Sequence, residues 1–283
     1  MTMRPMASIA APVNPLNPTD KVYYADIPID QIVFGAYQRQ ADMHRVRRMA
    51  ASFDENRMRP VEVSKRDGKF FCWDGQHRVL MYSMLGRLSV PAMVHQDLDY
   101  RQEAQLFATQ SENVGAVRSR SKWHALLEAQ DNKALSVIRI ARNHGYVVNP
   151  DVFNPYPGSV QCVASLIKAY AQLGENSFDR LFTILEQGFH GAVGSASKEI
   201  VDGLTAFLLA YDHDPAKPSQ VDYKRLYAVL NKTTPQDLEL TCAQYRVGSL
   251  AKKGKGIRMA RVLVDLYNAR LRQGKLDASR FAL

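Results

Sequence analysis

The sequence predicts an α/β fold of the α+β kind, in which a small mixed-sheet domain precedes a mostly α-helical domain. Two observations lead to this prediction. Between residues 21 and 98, runs rich in Val, Ile, Tyr and Phe alternate with helical patterns, and an Asp-Gly pair at 67–68 is typical of a hairpin turn. From Asp99 onward, the apolar residues mostly follow helical spacing.

The first domain, residues 21–98, is expected to contain a strand, a helix, a hairpin, a second helix and a last strand. The first strand contains Pro28, which is tolerated at a sheet edge. Apolar residues share one face of the first helix, and Pro60 is expected to end it. Gly86 is expected to end the second helix. In chain order, the predicted bounds are Lys21–Ile32, Ala41–Met58, Val61–Ser64 with Phe70–Trp73, Gly75–Leu85 and Ser89–His95.

Five segments are expected along the whole chain. A flexible arm precedes the mixed-sheet core, and a helical extension follows it. A linker rich in Pro and Asn then leads to a helical domain with a basic C-terminal region. The limits of the five segments are 1–20, 21–98, 99–148, 149–158 and 159–283. Helices beyond the core are predicted at Tyr100–Ser111, Ser121–Ala129, Lys133–His144, 159–173, 177–187, 197–212, 221–231, 235–245 and 257–273.

Composition argues against several classes of protein. No run approaches the roughly 18 apolar residues of a transmembrane helix, and the proline-broken N-terminus lacks the apolar core of a signal peptide. Cys72, Cys162 and Cys242 are odd in number and far apart, which favours buried thiols in a cytoplasmic protein over disulfides. No histidine pairs with acids at metal-binding spacing, so no metal site is predicted.

The formal net charge of +9 favours anionic partners. Much of the excess lies in the C-terminal region, where basic residues precede or lie on an amphipathic helix. One interpretation is contact with the phosphates of DNA, and the other is a solvated basic face on a helix that docks through its apolar residues. The residues assigned to nucleic acid are Lys252, Lys253, Lys255, Arg258 and Arg261.

The junction between a predicted strand and helix, Asp74 to Arg78, carries the clearest functional signal. His77 and Arg78 fall in the first helical turn, where the dipole disfavours a cation by about 0.3–1 kcal/mol. Unpaired N–H groups of that turn can bind an anion, Gly75 permits close approach, and Arg78 would add a charge-assisted contact. Asp74 is expected to cap the helix. The alternative is that Arg78 pairs with a surface carboxylate while His77 packs beneath the hairpin.

The segment WDGQHR, with a hairpin before it and a helix and VPAMV after it, resembles the ParB/sulfiredoxin superfamily, in particular its DGQHR-type members from phages and plasmids. Upstream, AYQRQ is similar to the Gln-Arg box of that family, and MRPVEVSKRDGKFFCWDGQHR is similar to its core motif. Downstream, LFATQSENVGAVRSR is similar to the ENLQR segment of ParB. The resemblance covers residues 22–120.

The resemblance implies a site for a nucleoside triphosphate, CTP or ATP, with or without Mg²⁺. In this superfamily the Gly-x-x-Arg turn binds phosphates, and the Glu-Asn pair, here Glu112 and Asn113, would approach the triphosphate or the metal. Gln76 stands where sulfiredoxin has its catalytic cysteine, so sulfiredoxin chemistry is not expected. Gln76 and His77 also replace the Glu-Arg pair of ParB, so CTP specificity does not carry over. The residues assigned to the nucleotide are Arg39, Gly75, Gln76, His77, Arg78 and Asn113.

Three functions are compatible with these patterns. The leading hypothesis is a nucleotide-binding, DNA-associated ParB-like protein of phage or plasmid type. The second is an enzyme of the same fold, a nuclease, NTPase or small-molecule phosphotransferase, that uses Asp74, His77 and Glu112. The third is a nucleotide-free protein-interaction module. A membrane partner is not expected, and a homodimer is among the oligomeric states left open.

Overall fold

Five strands form one mixed sheet in the first of two units into which the chain divides, with the boundary between Ala129 and Gln130. The computed structural model describes residues 21–109, 119–213, 216–245 and 253–281. The strands are β1 (Val22–Pro28), β2 (Ile32–Phe34), β3 (Val61–Arg66), β4 (Lys69–Asp74) and β5 (Ser89–Gln96). Their order across the sheet is β1-β5-β3-β4-β2.

Both strand orientations occur in this sheet, which confirms the predicted fold class. β1 with β5 and β3 with β4 are antiparallel, whereas β3 with β5 and β2 with β4 are parallel. The prediction of one strand over Lys21–Ile32 is wrong, because a 3-10 turn at Ile29–Gln31 separates β1 from β2. The two strands lie at opposite edges of the sheet, which no single continuous strand could do. Pro28 does end an edge strand, as predicted.

The hairpin of β3 and β4 has the predicted two-residue turn. Asp67 and Gly68 both have positive φ, 52° and 72°, as a type I′ turn requires. Toward the far end of the hairpin, the register shifts between Glu62 and Val63, and Glu62 then lies opposite Asp74. The irregularity therefore places two acidic residues side by side where β4 leads into the next helix.

Among its described residues, the first unit also has the α-helices α1 (Met43–Ala51), α2 (Gln76–Met84), α3 (Tyr100–Thr109) and α4 (Ser119–Glu128). The helix predicted over Ala41–Met58 is too long at both ends. The carboxylate of Asp42 caps the start of α1 by accepting two backbone N–H groups. After Ala51, the carboxylate of Asp54 caps a separate 3-10 turn, so α1 ends well before Pro60.

The core of the first unit consists of apolar side chains from the sheet packed against α1 and α2. The ring of Tyr82 on α2 meets that of Phe53 edge-on, with centroids 5.6 Å apart. This packing fixes α2 beside the end of β4, from which it begins. The fully buried members of the core are Val46, Val61, Val63, Cys72, Met81, Val90, Ala92 and Val94.

The second unit is mostly helical. Its helices are α5 (Asn132–Asn143), α6 (Val163–Phe189), α7 (Lys198–Tyr211), α8 (Tyr223–Leu230), α9 (Pro235–Gln244) and α10 (Lys255–Asn268). A short parallel pair, β6 (Val147–Val148) and β7 (Ser159–Val160), lies between α5 and α6 in the chain. The two helices predicted at 159–173 and 177–187 are confirmed as the two parts of α6, which non-helical backbone angles at Gly174, φ 68° and ψ 176°, separate.

The predicted segment limits differ from this division. The predicted extension, 99–148, contributes helices to both units, and 149–158 joins β6 to β7 inside the second unit. A backbone hydrogen bond holds the start of that segment to β7, because the N–H of Asn149 donates to the carbonyl of Val160. The predicted arm, 1–20, lies outside the described residues. Within the described ranges, no helix is both long enough and apolar enough to cross a membrane.

Candidate functional site

A cleft of about 500 Å³ lies in the first unit where the end of the hairpin meets α1 and α2. Five arginines and two acids line it, which gives a net formal charge of +3 with His77 neutral. Five of the six residues predicted to bind nucleotide, Arg39 and the run from Gly75 to Arg78, lie together in its wall. The charged lining residues are Arg39, Arg45, Arg57, Arg59, Arg78, Glu62 and Asp74.

Gly75 forms the junction between β4 and α2. It is the N-cap of α2 and has left-handed backbone angles, φ 111° and ψ 14°. The prediction that Asp74 caps the helix is wrong, because α2 has no side-chain cap among the described residues. A Cβ at Gly75 would lie 2.6 Å from Cγ1 of Val61, so close packing as well as backbone angle requires glycine. The first turn of α2 thus offers N–H groups to an anion.

Arg78 is held by contacts on both sides of this junction. Its Nη2 lies 2.8 Å from Oδ2 of Asp74, and its Nη1 donates to the carbonyls of Arg59, at 2.8 Å, and Pro60. The alternative interpretation of Arg78, pairing with a carboxylate, is therefore what the structure shows. That carboxylate also offsets the unfavourable position of the cation at the start of a helix. Arg78 nevertheless lines the cleft, so the ion pair is part of the candidate site.

His77 connects the starts of two helices. Its Nε2 accepts the backbone N–H of Asp42, the N-cap of α1, at 3.1 Å. An accepting Nε2 places the proton of the neutral imidazole on Nδ1. Burial, together with the charges of Arg45 and Arg39, lowers the pKa of His77 and keeps the ring neutral at neutral pH.

A fall in pH is expected to lower the free energy of unfolding of the first unit because His77 becomes protonated. Because the pKa of His77 is lowered in the folded state, its imidazole is protonated in the unfolded chain already near pH 6.5, and in the folded protein only at lower pH. The contribution to stability is fully present above about pH 6.5 and is lost as the pH falls below it. Urea denaturation at pH 7.5 and 5.5 should show a smaller acid-induced loss for His77→Gln than for the wild type. Equal losses would contradict the lowered pKa.

The loop before α1 brings Gln38 and Arg39 to the cleft. Gln38 is anchored because its side-chain amide donates to the backbone carbonyl of Cys72. Cys72 itself is fully buried, and burial raises the pKa of its thiol. Cys242 is buried as predicted, whereas Cys162 is only half-buried. The thiol of Cys72, which lies in the same unit as the cleft, is therefore a protonated core group.

Sequence reasoning missed three side chains of the site. Trp73 lines the cleft with only 8 % of its surface exposed, and its indole N–H has no partner among the described residues. Glu62 also lines the cleft, and its carboxylate lies 2.6 Å from Nε2 of His95. The rings of His95 and Trp73 are 5.3 Å apart. No short motif joins these residues, since they come from three different strands.

The three predicted catalytic residues have different outcomes. Asp74 and His77 both line the cleft, where Asp74 pairs with Arg78 and His77 accepts a backbone N–H. Glu112 lies outside the described residues, as does the predicted nucleotide ligand Asn113. Asp74 and His77 thus lie in the wall of the same cleft. The catalytic roles assigned to them stay predictions.

The residues predicted to contact nucleic acid do not form one exposed stripe. Lys252 lies outside the described residues, and Lys253 is exposed. Lys255 and Arg261 are in ion pairs with carboxylates of the second unit, at 2.8 Å and 3.0 Å. Arg258 is 7 % exposed, so its assignment to an exposed basic face is wrong. It was assigned there as part of the basic C-terminal run, but its helix packs against α7 and α9.

The fold and the cleft define an α+β protein with a basic cleft at a strand-to-helix junction. The chain belongs to a family of unknown function (DUF6551), whose model matches residues 34–278. Among solved structures, it is similar to sulfiredoxin from Arabidopsis thaliana, with 20% identity and a TM-score of 0.23, over 26% of this chain and 84% of that chain. A TM-score this low supports no inference about activity. No curated protein matches the chain.

Proposed function

We propose that the cleft at Gly75–Arg78 binds the phosphate groups of a nucleotide. The observation that carries the proposal is the concentration of five arginines around the uncapped N-terminus of α2. Guanidinium groups and free helical N–H groups are the two donors that phosphates use most readily in proteins. The sequence resemblance to the ParB/sulfiredoxin superfamily implies the same ligand for the same turn.

A buried, unpartnered donor in the wall supports a bound ligand independently of charge. The indole N–H of Trp73 has no acceptor among the described residues although Trp73 is 8 % exposed. Buried polar groups in proteins are nearly always paired, so such a donor favours an acceptor supplied by a ligand. The cleft of about 500 Å³ is within the size range of small-molecule sites.

A divalent cation would enter this site with the nucleotide. Among the described residues, no group of three or more His, Cys, Asp and Glu side chains could hold a metal ion. The two carboxylates of the cleft are already engaged, Asp74 with Arg78 and Glu62 with His95. Mg²⁺, where the nucleotide brings it, would therefore be held mainly by the phosphates of a triphosphate.

Calorimetric titration with CTP, ATP, GTP and UTP, with and without Mg²⁺, tests the proposal. Arg45→Ala is expected to weaken binding about tenfold, because it removes one charge-assisted contact from the wall. Arg47→Ala is the matched control, since Arg47 lies on the same helix, is also exposed and does not line the cleft. No binding of any nucleotide by the wild type, or equal loss in both variants, would overturn the proposal.

Hydrolysis of the bound nucleotide is a second candidate function. It is favoured by Glu62, whose carboxylate lines the cleft and lies 2.6 Å from Nε2 of His95 behind it, so that the carboxylate could exchange a proton with a ligand. The same samples, assayed for released phosphate, test it, and absence of release above background would reject it. DNA as a partner stays a prediction that rests on the net charge of +9.

A further inference from the structure

A second cleft, of about 470 Å³, lies in the second unit among α7, α9 and α10. It shares no lining residue with the first cleft. Its wall combines an apolar patch with side chains of both charges. The residues used below are Glu199, Glu239, Leu240, Cys242, Lys255 and Arg258.

Arg258 is the unusual residue of this cleft. It is 7 % exposed, and its Nε has no hydrogen-bond partner among the described residues. Within the same residues, no carboxylate lies in ion-pair contact with it, because the nearby Glu199 is taken by Nζ of Lys255 at 2.8 Å. Within the described part of the chain, the guanidinium is therefore a buried cation without an anionic partner.

The thiol of Cys242 does not neutralise this cation. Cys242 is buried, and burial raises the pKa of its thiol by more than the charge of Arg258 lowers it. The thiol hydrogen is directed to the carbonyl of Lys255, with Sγ 3.5 Å from that oxygen. Cys242 therefore stays protonated and leaves the charge of Arg258 uncompensated.

We propose that this second cleft binds a small molecule with one oxyanion group, a carboxylate or a monophosphate, through Arg258. A buried unpaired charge destabilises a fold, and a planar guanidinium matches an oxyanion in both charge and shape. Leu240 is 64% exposed and provides an apolar wall for the rest of such a molecule. Glu199 and Glu239 add negative charge to the lining, which disfavours a polyanion such as a nucleic acid backbone.

Calorimetric titration at constant ionic strength tests this, with sodium phenylacetate and inorganic phosphate as separate probes. The wild type and the control Arg272→Met, which replaces an exposed arginine, should bind at least one probe equally. Arg258→Met should lose at least tenfold in affinity for that probe. Without ligand, its melting temperature should equal or exceed that of the wild type, because the buried charge has been removed.

Each outcome either identifies the oxyanion as a carboxylate or a monophosphate, or overturns the proposal. Binding of phenylacetate alone assigns a carboxylate ligand, and binding of phosphate alone assigns a monophosphate. Binding of neither, or equal binding by Arg258→Met, overturns the proposal. If Arg258→Met does not fold, Glu239→Gln tests the proposal instead, because Glu239 is exposed and lines the same cleft. Removing this negative charge should tighten anion binding about twofold to fivefold at low salt. Unchanged affinity in that variant overturns the proposal as well.

Discussion

Replacing Glu103 with alanine is expected to lower the free energy of unfolding of the first unit by about 3–5 kcal/mol. Glu103 lies on α3 and has no exposed surface. Its carboxylate accepts hydrogen bonds from Ser64, from the hydroxyl of Tyr37 at 3.4 Å and from Nε of Arg66 at 3.3 Å. Alanine would leave these three donors around an empty space.

Two of the three donors, the hydroxyls of Ser64 and Tyr37, cannot easily bind water instead. Ser64 is fully buried, and Tyr37 is 1 % exposed. Burial, and then the charge of Glu103, raises the pKa of Tyr37, so its hydroxyl stays a donor over the whole useful pH range. A buried donor without an acceptor costs about 1–3 kcal/mol, which is why the loss should be large.

Fluorescence-detected urea denaturation measures this loss selectively. The chain has two tryptophans, Trp73 and Trp123, and both lie in the first unit. Glu128→Ala is the control, because Glu128 is exposed and accepts one hydrogen bond from the hydroxyl of Tyr100 at 3.1 Å. That variant should lose less than about 1 kcal/mol. A similar small loss for Glu103→Ala would contradict the role assigned to the buried carboxylate.

Glu103→Ala should also weaken nucleotide binding if the proposed function is correct. Tyr37 directly precedes Gln38 and Arg39, which line the first cleft. The ring of Tyr37 also packs against Phe107 of α3, with centroids 5.6 Å apart. Loss of the carboxylate would free this loop, so Arg39 would have to be ordered again on binding.

Local signals in the sequence were sufficient for several elements of the fold. The Asp67-Gly68 turn and β5 depend on residues within a few positions of one another, and both are confirmed. The break at Gly174, between the two helices predicted at 159–173 and 177–187, is confirmed as well. The split of the first strand, in contrast, depends on packing partners far along the chain. Such partners are not visible in a local pattern, which explains where the predicted elements failed.

The candidate site was predictable only in part for the same reason. The run from Gly75 to Arg78 is contiguous, so its grouping in one cleft followed from the sequence. The pairing of Glu62 with His95 joins residues 33 positions apart. Arg258 was assigned to nucleic acid because it belongs to the basic C-terminal run, and its burial, which is rare for a charged residue, is what makes the second cleft informative.

Gly75→Ala is expected to lower the free energy of unfolding of the first unit by about 2–5 kcal/mol. Two effects add at this position. Left-handed backbone angles disfavour any Cβ, by about 1–2 kcal/mol. The new Cβ would also lie 2.6 Å from Cγ1 and 2.8 Å from Cβ of Val61, which is fully buried and cannot move aside without disturbing the sheet.

Gly86→Ala separates these two effects. Gly86 follows the other end of α2 with a φ of 71°, and a Cβ there would meet nothing within 4 Å. This variant should show only the backbone term, about 1–2 kcal/mol. The excess loss in Gly75→Ala then measures the clash with Val61. Equal losses in the two variants would show that α2 shifts away from β3 at little cost.

A double-mutant cycle with Val61→Ala locates the clash. Val61→Ala removes Cγ1, the closer of the two atoms that the new methyl group would meet, and keeps Cβ, so Val61→Ala/Gly75→Ala should lose less than the sum of the two single variants. Nucleotide affinity gives a second readout, because a shift of α2 moves the N–H groups of its first turn. Gly75→Ala should weaken binding and Gly86→Ala should leave it unchanged, since only Gly75 lines the first cleft.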